Sequence, residues 1–191
     1  EGLYQAGRVD EAQELLDKSV AIEAQPPSLD LLGTIAIKRG RFDLAKTNYE
    51  ELARMPQDEP DDELRWEARA QGQLGEIALR RGDADASTRH LRVALRKTNE
   101  LLARPAAELS EQAERHLDRG RILFFLGEVD LALDDFELAA ELAPYHVKVY
   151  AEPMLQLVSY GYYREARSVF LRALQEAEVA DGLKLYFSLW I

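Results

Sequence analysis

The chain has 191 residues, with 24 Lys and Arg against 35 Asp and Glu, a formal net charge of −11. This acidity argues against a nucleic-acid binder, which normally has a basic face, and it disfavours binding to an anionic membrane surface. The absence of cysteine excludes disulfides, thiolate nucleophiles and cysteine-ligated zinc, and no apolar run approaches the roughly 20 residues of a membrane span. The chain begins without an initiator methionine or a signal peptide, so we expect an excerpt of a longer protein.

A short motif recurs five times along the chain, which is the signature of a repeat protein. Each copy has a glycine, a small residue five positions later and a large apolar residue nine positions later. The glycines are Gly7, Gly40, Gly82, Gly127 and Gly161. The small residues are Ala12, Ala45, Ser87, Ala132 and Ala166. The large residues are Leu16, Tyr49, Leu91, Phe136 and Phe170.

This motif predicts a helix, a tight turn and a second helix. The glycine suits the left-handed position that ends a helix, so we expect positive φ at Gly7, Gly40, Gly82 and Gly127. The small residue lets the two helices approach closely, so Ala45, Ala132 and Ala166 should be nearly fully buried. An aspartate follows the glycine in four copies, and we expect it to cap the second helix. These aspartates are Asp10, Asp43, Asp85 and Asp130.

A second glycine lies seven residues before the turn in three copies, within a helical apolar pattern: Gly33, Gly75 and Gly120. Together with the turn motif it resembles the tetratricopeptide repeat (TPR) family, whose unit is two antiparallel helices, A and B, of about 34 residues. The resemblance covers nearly the whole chain. It implies an all-α fold, a right-handed superhelical solenoid of four to five antiparallel helix pairs that stack on one another.

The repeats divide the chain into one array, residues 1–191, with unequal units. We expect a partial unit at 1–25, units at about 26–58, 62–103, 105–144 and 145–178, and a C-terminal helix at 183–191. The extra length of the middle units predicts an acidic loop before a long helix at 64–81, then long helices at 86–103 and 106–126. Pro153 falls inside the fourth helix A and should kink that helix or delay its start.

No group of residues has the spacing of a catalytic or metal site, so we predict no catalytic residue, no metal and no cofactor. The three histidines have no ligand partner at a suitable spacing and are expected at surface or half-buried positions: His90, His116 and His146. The adjacent acids Asp134 and Asp135 should lie on solvated helix faces. The basic residues near the helix A ends suit the negative end of the helix dipole: Lys38, Arg39, Arg80 and Arg81.

The family resemblance also implies a ligand groove lined by helix A, at unit positions 2, 5, 9, 12 and 13 when the turn glycine is position 15. The candidate groove residues are Arg69, Glu76, Arg80, Arg121, Phe124, Phe125 and Leu155. Arginine beside aromatic residues is typical of interface hot spots. The alternative is that Phe124 and Phe125 both pack against the neighbouring unit.

The carboxylate clamp of chaperone-binding family members needs Lys at position 5 and Asn at position 9. Those positions hold Asp30 and Thr34 in one unit and Gly72 and Glu76 in the next, which disfavours a chaperone-tail ligand.

We therefore predict a non-catalytic scaffold that binds a partner peptide or helix in the concave groove. The alternative is a peptide-sensing module of a larger bacterial signalling protein. An α-solenoid RNA reader is opposed by the charge of −11. The partner is expected to be another protein or peptide, with no nucleic acid and no membrane span. The apolar segment 183–191 also predicts a weak homodimer through the C-terminal helix.

Overall fold

The computed structural model of the protein describes residues 24–175, together with Leu15 and Val20. Within this part the chain forms eight α-helices and no β-strand. They are α1 (Pro26–Lys38), α2 (Phe42–Leu52), α3 (Pro60–Arg80), α4 (Ala84–Leu102), α5 (Leu109–Leu126), α6 (Val129–Leu142), α7 (Lys148–Ser159) and α8 (Tyr163–Ala173). The chain divides after Leu101 into two compact units. The first contains α1 to α4, and the second contains α5 to α8.

Each pair of helices is joined by a tight turn whose glycine has positive φ. The φ values are 68° at Gly40, 81° at Gly82, 87° at Gly127 and 84° at Gly161. At Gly127 the amide donates to the Phe124 carbonyl and the Glu128 amide donates to the Leu123 carbonyl, both at 3.0 Å. These bonds satisfy carbonyls that the helix end leaves open. The predicted positive φ is therefore confirmed at Gly40, Gly82 and Gly127, Gly161 has it as well, and Gly7 lies outside the described residues.

Helix A and helix B of a pair approach closely at the second glycine. A Cβ built there would lie only 2.5–2.6 Å from a large side chain of helix B. The contacts are Gly33 with Tyr49, Gly75 with Leu91 and Gly120 with Phe136. The predicted burial of the small residues is also confirmed, with exposed fractions of 0% for Ala45, 0% for Ala132 and 5% for Ala166.

Each unit has its own arrangement of packed helices. In the first unit α2 packs on both α1 and α3. Its core contains Leu29, Ala36, Ala45, Tyr49, Leu52, Ala70, Leu74 and Ile77. In the second unit α5 packs on α6, α7 packs on α8, and α7 also contacts α5 and α6. No helix in the described residues is long and apolar enough to span a membrane.

The prediction of the capping aspartates was wrong. Three of them lie inside the first turn of their helices: Asp43, Asp85 and Asp130. The N-cap positions are Arg41 in α2 and Glu128 in α6, neither with a side-chain cap. Before α4 it is Asp83 that accepts a hydrogen bond from the Ala86 amide, at 2.9 Å. Because each helix begins two residues earlier than expected, the aspartates lie near the positive end of the helix dipole instead. Asp10 lies outside the described residues.

One expectation about a helix start was also wrong. The acidic segment before α3 was expected to be a loop as far as Glu63, but α3 begins at Pro60. Proline suits the first turn of a helix, and the acids that follow it favour a helix N-terminus. Pro153 was expected to kink the fourth helix A or to delay its start, and the delay does not occur, because α7 begins five residues earlier at Lys148. Helices α4 and α5 begin at Ala84 and Leu109, near the expected 86 and 106.

The fourth helix pair departs from the other three at the close contact. Position 8 of helix A, which is glycine in the other pairs, is Met154 in α7. The large helix B residue of this pair is Phe170, which is 38% exposed, whereas Tyr49 is 0% and Phe136 is 3% exposed. This pair therefore lacks the glycine against which the large helix B residue packs in the other three pairs.

Several predictions fall outside the described residues. They concern Ala12, the greater part of the partial unit 1–25, the C-terminal helix 183–191 and the homodimer through that helix.

Ala132→Leu should lower the free energy of unfolding by about 1–3 kcal/mol, because the larger side chain would be forced into the contact between α5 and α6. Chemical denaturation measures this change. Ala84→Leu is the matched control, since Ala84 is exposed at the start of α4. If Ala132→Leu costs no more stability than the control, the helix register described above is incorrect.

Candidate functional site

The predicted groove residues of the first unit lie on α3, and each of them forms an ion pair. Arg69 donates to both carboxylate oxygens of Asp30 on α1, at 3.0 and 3.3 Å. Glu76 is 8% exposed and accepts from Arg80 at 2.9 Å. A two-point arginine–carboxylate pair fixes both side chains in one plane. The first ion pair joins α3 to α1 and the second joins neighbouring turns of α3, so Arg69, Glu76 and Arg80 each have a partner of opposite charge.

The predicted groove residues of the second unit lie on α5 and α7. Arg121 approaches Glu152 of α7 at 3.8 Å and Asp118 of its own helix at 4.0 Å. The Gln156 side-chain amide donates to the Arg121 carbonyl at 3.4 Å. Leu155 is half-buried on α7. The structure thus brings Arg121 and the helix that carries Leu155 together on one face of this unit.

Phe124 does not lie on an open groove surface. It is 6% exposed, whereas Phe125 is half-buried. The Phe124 ring packs edge-on against Phe125 at 6.0 Å, Tyr160 at 5.5 Å and Tyr162 at 5.3 Å between ring centroids. Phe124 therefore lies in the interior against these three rings, and of the two phenylalanines only Phe125 reaches the surface. The two tyrosines follow α7 and were not among the predicted groove residues.

A buried polar cluster joins α5 to α6, which sequence reasoning missed. His116 Nδ1 lies 2.9 Å from Asp135 Oδ1. Arg119 donates to both oxygens of the same carboxylate, each at 2.7 Å. Asp135 is 3% and His116 is 8% exposed, so the expected surface or half-buried place for His116 and the solvated face for Asp135 were wrong. The buried carboxylate has its charge compensated by the Arg119 guanidinium on the facing helix and is also hydrogen-bonded to the His116 ring.

Burial opposes ionisation of Asp135, but the hydrogen bonds from Arg119 and His116 outweigh it and lower the pKa of this carboxyl. The hydrogen bonding between Arg119 and Asp135 raises the pKa of Arg119.

The pairing of His116 with Asp135 could have been found from spacing, since Asp135 follows His116 by 19 residues. In the first unit His90 follows Gln71 by the same distance, and these side chains meet at 2.7 Å. Burial lowers the pKa of His90, and Arg89 and Lys46 add to this effect.

The cluster of His116, Asp135 and Arg119 lies between α5 and α6, and His116 and Asp135 are buried there. In residues 24–175 no three side chains of the metal-binding types are grouped so that they could hold a metal ion. The two helix A faces therefore remain the candidate functional surfaces of the described chain.

Comparison with known proteins gives two family-model matches, both described as tetratricopeptide repeat. One covers residues 68–92, from α3 into α4, and the other covers residues 113–146, from α5 to the residues after α6. No curated protein matches the sequence.

Solved structures with similar folds include TTC0263, a thermophilic TPR protein of Thermus thermophilus. It is 25% identical with a TM-score of 0.63, and the match covers 99% of this chain and 94% of that one. MamA from Desulfovibrio magneticus RS-1 is 15% identical with a TM-score of 0.42, over 91% of this chain and 88% of that one. The TPR2AB domain of yeast Sti1, in its pHSP90 complex, is 14% identical with a TM-score of 0.42, over 100% and 95%.

Asp135→Asn should lower the free energy of unfolding at neutral pH by about 1.5–3 kcal/mol, because Arg119 and His116 lose their charged acceptor. The folded-state pKa of Asp135 lies below its ordinary value of 3.8. Its stabilisation is therefore present above that value and lost as the pH falls through the folded-state pKa. Denaturation at pH 7 and in acid should show the gap between the two proteins closing.

Asp134→Asn is the control for this measurement, because Asp134 is the exposed neighbour on the same helix. Equal losses for the two substitutions at pH 7 would contradict a stabilising role for the buried cluster.

Proposed function

We propose that this chain, which is a tetratricopeptide-repeat protein with an all-α solenoid fold, is a non-catalytic scaffold that binds a partner protein through its helix A faces. The partner would contribute an extended peptide or a helix. Repeat arrays hold such surfaces in one geometry before binding, which reduces the entropy lost when a flexible segment is captured.

The observation that carries this proposal is the composition of the helix A face in the second unit. There Arg121, Phe125 and Leu155 occupy predicted groove positions on two helices that pack against each other. Arginine and aromatic side chains dominate the binding energy of many interfaces. Two contacts fix these side chains: the Phe124 ring packs against Phe125, and Glu152 forms an ion pair with Arg121.

The corresponding face of the first unit supports a more polar contact. Its charges are already engaged in the pairs of Arg69 with Asp30 and of Arg80 with Glu76. These pairs are short, at 3.0 and 2.8 Å, whereas Arg121 lies 4.0 and 3.8 Å from the carboxylates of Asp118 and Glu152. A partner would therefore lose more by breaking the pairs of the first unit. We therefore assign the stronger contact to the second unit.

Capture of a partner from an extract, with the full chain as bait, identifies the ligand. Arg121→Ala and Phe125→Ala should then each weaken its binding by about 1–2 kcal/mol, or roughly five- to thirtyfold in Kd, with the far-UV spectrum unchanged. Titration calorimetry with the purified partner measures the loss.

Asp134→Ala is the matched control, because it changes an exposed residue of α6, a helix B. A partner whose affinity is unaffected by both helix A changes, but falls with Asp134→Ala, would contradict binding through the helix A face.

A further inference from the structure

The A helices of the two units end in side chains of different chemical types. In the first unit the two residues before the turn glycine are basic: Lys38 and Arg39 in one pair, Arg80 and Arg81 in the other. In the second unit the same positions hold Phe125 and Leu126, then Ser159 and Tyr160. The last turns of α5 and α7 accordingly contain no basic residue, whereas those of α1 and α3 contain Lys38 and Arg80.

This difference matters because the aligned peptide dipoles of a helix place partial negative charge at its C-terminal end. Lys38 and Arg80 place a cation near that charge in the first unit. The ends of α5 and α7 have aromatic rings there instead. Phe125 and Tyr160 lie 5.6 Å apart between ring centroids, with their planes at 75°.

Two nearly perpendicular rings form an aromatic corner, which we define as Phe125 and Tyr160 supported by Phe124. Tyr160 is 38% exposed and Phe125 is half-buried, so the corner is open to a ligand. The faces of aromatic rings carry negative electrostatic potential and attract cations. The corner therefore adds to the negative potential of the two helix ends.

Nearby charges also favour a cation. Arg121 lies one helical turn before Phe125, but it is flanked by the carboxylates of Asp118 and Glu152 at 4.0 and 3.8 Å. This group of three carries one net negative charge. The exposed Glu128 follows the turn, and the whole chain has a formal charge of −11, which steers basic partners towards it.

We propose that the aromatic corner binds an arginine or lysine side chain of a basic partner segment. The partner would thereby supply the cation that Lys38 and Arg80 supply within the first unit. This inference rests on the proposed scaffold function and names the chemical class of its partner.

The test uses the full chain and two blocked nine-residue peptides of one sequence. The first carries three arginines, and in the second these are replaced by citrulline, the neutral analogue of the same shape. Calorimetry at about 0.15 M salt should give clearly tighter binding of the arginine peptide. Tyr160→Leu and Phe125→Leu should each weaken that binding by about three- to tenfold and leave the citrulline peptide unaffected.

Three further variants distinguish binding at the corner from general attraction between opposite charges. Tyr163→Leu removes a tyrosine of the same unit that is 69% exposed, and it should change neither affinity. Phe125→Lys places the first unit's residue type in the corner and should remove the preference for arginine. Leu44→Lys adds the same charge on α2, where the side chain is 43% exposed, and should have a smaller effect. Thermal melts verify that each variant is folded.

Equal affinity for the two peptides would overturn the inference, as would an equal loss from Tyr163→Leu and Tyr160→Leu. If either occurs while a captured partner still depends on Arg121, the inference alone fails and the scaffold function stands. If no captured partner responds to any helix A substitution, the scaffold function itself fails.

Discussion

The close approach of helix A to helix B at a glycine is the contact on which the other features of these helix pairs depend. In three pairs a glycine of helix A lies directly against a large side chain sixteen residues later, as Gly120 lies against Phe136. A Cβ at Gly120 would lie 2.6 Å from the Phe136 ring, so no larger residue fits without a shift. The contact fixes the register of the two helices, and it directs one face of helix A into the pair and leaves another facing away from helix B.

The same register explains the polar contacts between the helices. Side chains nineteen residues apart face each other across a pair, as His116 faces Asp135 and Gln71 faces His90. One pair uses this position for a buried ion cluster, completed by Arg119, and another uses it for a neutral hydrogen bond. The position is close to the helix interface in both cases, so a polar residue there needs a partner on the facing helix.

The sequence was a sufficient guide to features that depend on local chemistry. The turn at Gly127 and the burial of Ala132 follow from backbone conformation and side-chain size, which the repeated motif displays directly. The burial of Phe124 could not be predicted in the same way. It depends on which side chains of other helices lie opposite, and the apolar pattern of one helix does not contain that information. The same holds for the exposure of Phe170.

The proposed binding surfaces depend on the same contact, because they consist of helix A residues that do not face helix B. The most direct test of the account is therefore a double-mutant cycle of Gly120→Ala and Phe136→Ala, measured by chemical denaturation. Alanine is the better helix former by about 1 kcal/mol, yet Gly120→Ala alone should destabilise the protein, by about 1–3 kcal/mol. Its cost should shrink or reverse once Phe136 is alanine. If Gly120→Ala stabilises the otherwise unchanged protein, the close contact does not set the register and the account is contradicted.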